Sequence, residues 1–337
     1  MNEYKVTVIV PVYNTAPYVC KCIESLLGQT HTNLEIIIVN DGSTDDSGEI
    51  CKKYATLDGR IKLINKANGG VSSARNAAID VMTGEFLTFL DSDDWFDENA
   101  IENLLCECVD YDVDMVIFNS MLEYPGKAVP RTKKTFTGLA NKRKLIEQTI
   151  LPQSYYLNSQ CKFYRVESLL NDEGKVNKFD ETVKVLEDGL WLLPNLLRVK
   201  IGFIDNRTWY HRTMREDSVM GNEDNWLARD MEYHKSFSRL LEILELESDS
   251  YLFKIASNSC LATWRILLNR AAIKNRLDLT PELLLACGEK YALAFIGKEL
   301  SNYYMHQSST AYRVIKKLNK NKYAVVILKI IRKLYRR

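Results

Sequence analysis

The chain has 337 residues, 45 Lys and Arg against 44 Asp and Glu, a formal net charge of +1 and a hydrophobic fraction of 46%. It is long enough for one large α/β domain with a smaller appendage, too balanced in charge for a nucleic-acid binder and too apolar for a disordered chain. The eight cysteines include the C-x-C pairs Cys20 with Cys22 and Cys106 with Cys108; without the C-x-x-C repeats of a zinc site, they read as reduced core thiols.

The first residues, MNEYKVTVIVPVYN, enter a strand-like run with neither the basic start nor the long apolar core of a signal peptide, so a cytoplasmic location is expected. Residues 4–10 predict a strand that Pro11 breaks into the loop PVYN. Val19, Cys22, Ile23, Leu26 and Leu27 then recur at helical spacing behind Pro17. Residues 34–39 predict a second strand running into NDGSTDDS, where Gly42 suits a tight turn and Ser43 or Thr44 can cap a helix over about 45–57. A third strand over 61–64, the loop KANGG and a helix over 71–81 bearing Arg75 and Asn76 follow. The fourth strand, 86–90, ends in LDSDDW; a helix over 97–109 and a strand over 113–119 complete the alternation. Such βα alternation predicts a mostly parallel sheet covered by helices, with its ligand site at the C-terminal strand edges.

Asp91, Asp93 and Asp94 place three carboxylates within four residues. At a separation of about 4 Å and an effective dielectric of about 20, each like-charge pair costs on the order of 4 kcal/mol unless the groups splay into water or share a cation. A solvated turn capping the next helix is the ordinary reading, but the position at a strand edge, where the other polar motifs also fall, favours a binding site. Neither G-x-G-x-x-G after the first strand nor G-x-x-x-x-G-K-[ST] occurs, which argues against dinucleotide enzymes and P-loop NTPases.

From 124 to 213 the pattern is less regular. The stretch KAVPRTKKTFTG predicts an exposed loop or hairpin, 138–151 a helix, and 160–170 a basic segment leading into a short helix. Glu187 and Asp188 open an apolar helix, where acids complement the helix dipole whatever else they do. A strand-like IGFID and the segment WYHRTMREDSVM follow. Beyond 222 the composition turns helical: Trp226, Asp230, Tyr233, Phe237, Leu240, Leu241 and Leu244 form a stripe with one polar exception, 252–269 is a second candidate, and Thr280 with Pro281 starts a third. The expected division is 1–220, a helical region 221–311 and a basic helix 312–337.

That last stretch holds ten Lys or Arg and no acid, so the preceding residues carry 35 basic against 44 acidic groups. Tyr323, Val326, Ile327, Ile330, Ile331 and Leu334 fall on one face, opposite Lys322, Lys329, Lys333 and Arg336. Its longest apolar run, AVVIL, cannot span a bilayer. A helix of this kind lies on an anionic inner leaflet, gaining about 1 kcal/mol per well-placed basic residue, or docks on its own domain or on another subunit of a homo-oligomer.

PVYN at 11–14, IIIVNDGSTDDS at 36–47, NGGVSSARN at 68–76, FLTFLDSDDW at 86–95 and LEDGLW at 186–191 together resemble, in order and spacing, glycosyltransferase family 2, over about residues 4–218. The resemblance implies a GT-A, Rossmann-like fold with a C-terminal α-helical region, and an inverting transferase. Its donor is a sugar nucleotide, most often UDP-linked, and its acceptor a hydroxyl of a polysaccharide or lipid-linked glycan. The transferred group is a hexosyl or N-acetylhexosaminyl unit. By position, Asp41 is implied to accept from the uracil ring, Pro11, Tyr13 and Asn14 to line the nucleotide pocket, and Arg75 to reach the base or phosphates. Asn68, Gly70 and Ser92 join the same donor-contact set. Asp91 is implied at the ribose or the metal's water shell, and Asp93 as ligand to a Mn²⁺ or Mg²⁺ that the diphosphate and hard oxygen donors favour over zinc. Asp188 matches the base, with Glu187 the alternative. Arg212 and Ser218 fit a weaker element that closes over the diphosphate. His211 departs from the pattern, since an aromatic is commoner there; it is a further candidate ligand, or a packing or acceptor contact. Lys162 and Arg165 recur loosely in the family and carry no assigned role. A non-catalytic sugar-nucleotide-binding subunit is the competing reading, and nucleotidyl transfer is disfavoured because PVYNTAPY is not a Gly-rich basic phosphate loop.

Overall fold

The computed structural model describes residues 3–131, 136–150 and 158–214, with scattered helical positions between 232 and 244. Residues 1–149 and 154–222 form one compact unit; 150–153 and 223–337 form another. In the first unit, strands β1 (Val6–Val12), β2 (Leu34–Asp41), β3 (Ile61–Lys66) and β4 (Phe86–Phe89) alternate with helices α1 (Ala16–Leu27), α2 (Ser47–Leu57) and α3 (Val71–Ile79). Then come β5 (Trp95–Phe96), α4 (Ala100–Asp110), β6 (Met115–Tyr124), β7 (Lys127–Pro130), β8 (Gly138–Asn141), α5 (Lys142–Ile150), β9 (Lys162–Arg165), a 3₁₀ turn (Val166–Leu169), α6 (Glu187–Leu196) and β10 (Ile201–Thr213).

The sheet runs β3-β2-β1-β4-β9-β6-β10-β5, with β7 beside β6 and β8 beside β10. Strands β1 to β4 pair in parallel, while β9 enters antiparallel between β4 and β6. Every residue of β1 is buried, as a strand covered on both faces requires, so the run is continuously apolar rather than alternating. The exceptions pair with each other. Thr7 lies in register with Glu35 and donates to it at 2.6 Å, while Lys62 and the Thr83 amide donate to the same carboxylate. Burial alone would raise the Glu35 pKa, but these donors outweigh it and hold the group at about 2. Beside this knot Gly84 is sterically required, since a Cβ there would lie 2.5 Å from Thr7 Oγ1 and 2.6 Å from its amide.

Several expectations need correction. Pro11 does not end β1. The pairing with β4 stops at Ile9, so the missing N–H at Pro11 faces no neighbour and the strand continues along β2. In the 127–138 stretch, read as an exposed loop or hairpin, β7 is the return strand of a hairpin with β6, and Gly138 opens β8 beside β10. Residues 138–141 are therefore strand rather than the start of a helix. The helix after Asp45 begins at Ser47 without a side-chain cap. The segment 160–170 hides β9, too short at four residues for its period to register. In the second unit Phe237, Leu240 and Leu244 are buried, three members of the stripe read from the sequence. The helices expected over 252–269 and from Thr280, the tail 312–337 and Ser218 lie outside the described residues.

Candidate active site

The loops after β1 and β2 are tied together at the C-terminal edge of the sheet. Asn14, at φ +50, accepts from the Thr44 amide at 2.8 Å, and its own amide donates to Ser43 Oγ. Tyr13 stands about half exposed beside it. Asp41 ends β2 buried, its Oδ1 accepting from Lys66 Nζ at 2.6 Å and the Gly69 amide, and its Oδ2 from the Gly70 amide at 2.7 Å. The carboxylate thus serves as the anion at the N-terminus of α3, where free amides favour one. Gly42, at φ +70, allows the close approach, because a Cβ there would meet the Asn68 amide at 2.7 Å. Asn68 itself is exposed, and Gly70 adopts φ +87 as α3 begins.

At the next edge, Arg75 is 2% exposed. Its NH1 donates to Asp188 Oδ1 at 2.8 Å and its NH2 to Asp91 Oδ1 at 3.2 Å; Glu187 lies 3.8 Å from NH1. Its guanidinium carbon sits 5.3 Å from the Phe179 ring centre. Burial pulls the Arg75 pKa down, but Asp188, Asp91 and Glu187 push it up, and the balance is upward. The structure buries Arg75 beneath the two carboxylates, holding the end of β4 against the first turn of α6. Glu187, pushed up chiefly by burial and then by Asp188, reaches about 7, so the first turn of α6 pairs one carboxyl that takes up a proton far more readily than usual with a second bonded to arginine. Leu186, just before them, is held at φ +66, a conformation that costs a non-glycine residue on the order of 1 kcal/mol or more and that clusters at functional sites.

Two residues missed in the sequence complete this cluster. Ser159 Oγ donates to Asp188 Oδ1 at 2.8 Å, and Gln160 Nε2 donates to both oxygens of Asp91 at 2.9 and 2.7 Å. The only signal for them was a polar run, NSQ, one residue before the short strand KFYR.

Within the acidic turn the side chains diverge. Asp93 is partly exposed, and its carbonyl accepts from Thr213 Oγ1. Ser92 points inward, accepting from Thr15 Oγ1 at 2.9 Å. Asp94 is buried, accepting from Tyr210 Oη at 2.6 Å and the Thr213 amide at 2.8 Å; burial, with Asp93 and Asp91 adding to it, raises its pKa well above the usual carboxylate range. Arg212 follows on β10. Burial lowers its pKa, but Tyr210, Asp91 and Asp94 more than compensate. His211 stacks on Trp95, 5.1 Å between centres, with Nδ1 2.7 Å from Glu123 and Nε2 3.0 Å from Asp97. A metal at His211 would have to displace one of those carboxylates.

Among the described residues no three His, Cys, Asp or Glu side chains gather as a metal centre. The turn does supply two hard-oxygen carboxylates, Asp91 and Asp93, close to the sheet edge. That suits Mn²⁺ or Mg²⁺, which is commonly bound through one or two carboxylates and completed by substrate phosphates and water.

Residues 7–171 match the family described as Glycosyl transferase family 2. The chain is 49% identical over 115 residues to the glycosyltransferase GlyA of Streptococcus pneumoniae serotype 4, covering 34% of this chain and 16% of that protein. It is 46% identical over 115 residues to the glycosyltransferase GlyG of the same organism, covering 34% and 38%. The likeness thus spans well under half of either curated relative. S. aureus TarS 1–349 solved with UDP-GlcNAc superposes with a TM-score of 0.68 at 20% identity, covering 92% of this chain and 89% of that one. The UDP complex gives 0.65 at the same identity, over 92% and 88%. This is the GT-A fold.

Proposed function

Residues 7–171 match glycosyl transferase family 2, and from that match we propose that the protein moves a hexosyl or N-acetylhexosaminyl unit from a UDP-sugar to a hydroxyl of a polysaccharide or lipid-linked glycan, with inversion. The observation that carries the reading is the buried Arg75 with Asp91 on one nitrogen and Asp188 on the other. A donor-side carboxylate and a base are thereby held a fixed interval apart on different elements of the fold. The TarS complexes with UDP and UDP-GlcNAc support the choice of uridine nucleotide.

Asp188 takes the proton of the acceptor hydroxyl as its oxygen bonds to the anomeric carbon, and the bond from that carbon to the nucleotide breaks on the opposite face, its electron pair leaving with UDP. Arg75 and Ser159 hold Asp188 for that transfer. The loops of Pro11, Tyr13, Asn14, Asp41, Asn68 and Gly70 form the nucleotide end. One lone-pair direction of Asp41 Oδ2 is left beside the bond from Gly70, enough to accept one N–H from a base. Arg212 supplies positive charge beside the acidic turn. Asp93, with Asp91, would hold the Mn²⁺ or Mg²⁺, which when bound neutralises charge developing on the leaving diphosphate.

The basic stretch 312–337 supports a membrane-surface acceptor and an inner-leaflet location; among the described residues no helix is long and apolar enough to cross a bilayer. Incubation with UDP-glucose, UDP-galactose and their N-acetylated forms in Mn²⁺ should release UDP from at least one. Release from none would sink the proposal. Loss of residues 312–337 should abolish liposome binding and activity on a lipid-linked acceptor, and an unchanged truncation would remove the membrane part.

A further inference from the structure

Lys162 has no place in the steps above, yet it is fully buried at the start of β9. Its ammonium donates to the Asn158 carbonyl, to Asn158 Oδ1 at 3.2 Å and to the Gln160 carbonyl at 3.2 Å. These three acceptors belong to the turn that carries Ser159 and Gln160, which are 0% and 5% exposed. Cys161, between them and Lys162, is held at φ +57, a backbone conformation that L residues adopt rarely. That reversal lets Ser159 and Gln160 face the carboxylates while Lys162 reaches back to the same turn.

We propose that Lys162 clamps the 158–161 turn so that Ser159 and Gln160 fix the base-side and donor-side carboxylates together, making all three positioning residues for the transfer. The identity of what is positioned rests on the glycosyl-transfer reading; the clamp itself rests on geometry. A carboxylate bonded to one arm of a guanidinium can still turn about its own axis, and a second donor from another direction removes that freedom. For Asp188 the second donor is Ser159; for Asp91 it is Gln160, reaching both oxygens. Both donors are neutral, so they orient the carboxylates without adding the charge of a second arginine. The ammonium ties Asn158 and Gln160 together across the turn. Buried, it must be met by acceptors, and the carbonyls of this turn meet it only when the turn is folded as seen.

The test uses the full chain, UDP release from whichever UDP-sugar the wild type hydrolyses in Mn²⁺, and hydrogen exchange of segments 89–95 and 185–191. Loss of one hydrogen bond to a charged group should lower kcat of Ser159→Ala by about 10- to 100-fold with the donor KM unchanged. Gln160→Ala should raise the donor KM. Lys162→Met should do both and speed exchange in both segments. Thr88→Val is the control: it removes the bond from Thr88 Oγ1 to the Lys162 carbonyl, 2.9 Å, and should lower Tm while leaving kcat, KM and the exchange of both segments alone. Wild-type kcat in Ser159→Ala, or wild-type exchange of both segments in Lys162→Met, overturns the clamp. If Lys162→Met does not fold, the two smaller truncations decide. If the wild type releases UDP from no donor, the transfer reading fails while the exchange data still decide the clamp.

Discussion

On one side of β4 the strands β1, β2 and β3 run parallel to it, and each loop at their ends adds one part of the proposed nucleotide end: Asn14, Asp41, then Gly69 and Gly70. On the other side β9 enters antiparallel, and the parts there come from segments distant in sequence: Ser159 and Gln160 before β9, Asp188 on α6, Tyr210 and Thr213 on β10. The first half builds its site from repeated βα units, so its contacts are made by loops already fixed by their strands. The second half must bring its parts together, and it does so with buried charge. Arg75 belongs to the first half and bonds to the second, which makes it the element on which the difference turns.

The sharpest way to break that division is Asp188→Asn. Loss of a general base should lower kcat by about 10² to 10⁴-fold while Mn²⁺-dependent UDP binding, which we propose for the parallel half, stays unchanged by calorimetry. Unchanged turnover would remove Asp188 as base, whereas UDP binding without UDP release from any donor in the wild type would leave the non-catalytic, nucleotide-binding reading standing. Next in size is Arg75→Met. Stripping the cation from Asp91, Asp188 and Glu187 leaves three part-buried acids uncompensated and should cost about 3 kcal/mol in urea unfolding; a loss confined to activity would show that the arginine serves the nucleotide and not the joint.

A smaller effect sharpens the comparison from the far end of the strands. Glu35 has its pKa depressed to about 2, so the folded chain binds fewer protons than the unfolded one between there and the ordinary value near 4.5. Its contribution, on the order of 2–3 kcal/mol, is complete above pH 4.5 and is lost as pH falls toward 2. Glu35→Gln should flatten that part of the stability profile, and an unaltered acid limb would contradict the assignment. Smallest is His211→Phe, which keeps the stack on Trp95 and gives up the bonds to Glu123 and Asp97. It should cost about 1 kcal/mol or less and leave Mn²⁺-dependent UDP binding intact. A tenfold loss of that binding would make His211 a ligand after all.

The parallel half was legible because its signals are local. Continuous apolar runs such as IIIV mark strands buried on both faces, and Gly42 and Gly70 mark sharp turns that only a backbone of positive φ completes. The second half was read less well, and β9 shows why. Four residues, KFYR, carry too little period to be told from a basic loop, and their place as a wedge between β4 and β6 depends on partners some 50 to 80 residues away. The same holds for β8, whose pairing with β10 no local pattern in GLAN announces.

Residue type and order by themselves determined the βα alternation, the edge on which the polar motifs gather, the acidic turn and the two acids that open α6, because each is set by spacing along a few turns or one strand. Only the tertiary structure decided what those groups do to one another. It turned Asp94 inward to Tyr210, set Asp41 on the amides of α3, placed Arg75 beneath Asp91 and Asp188, and brought Ser159 and Gln160 to the same two carboxylates. These contacts join positions up to 116 residues apart. Their partners are chosen by burial and by the need of each buried charge for a counterpart, which no local pattern encodes.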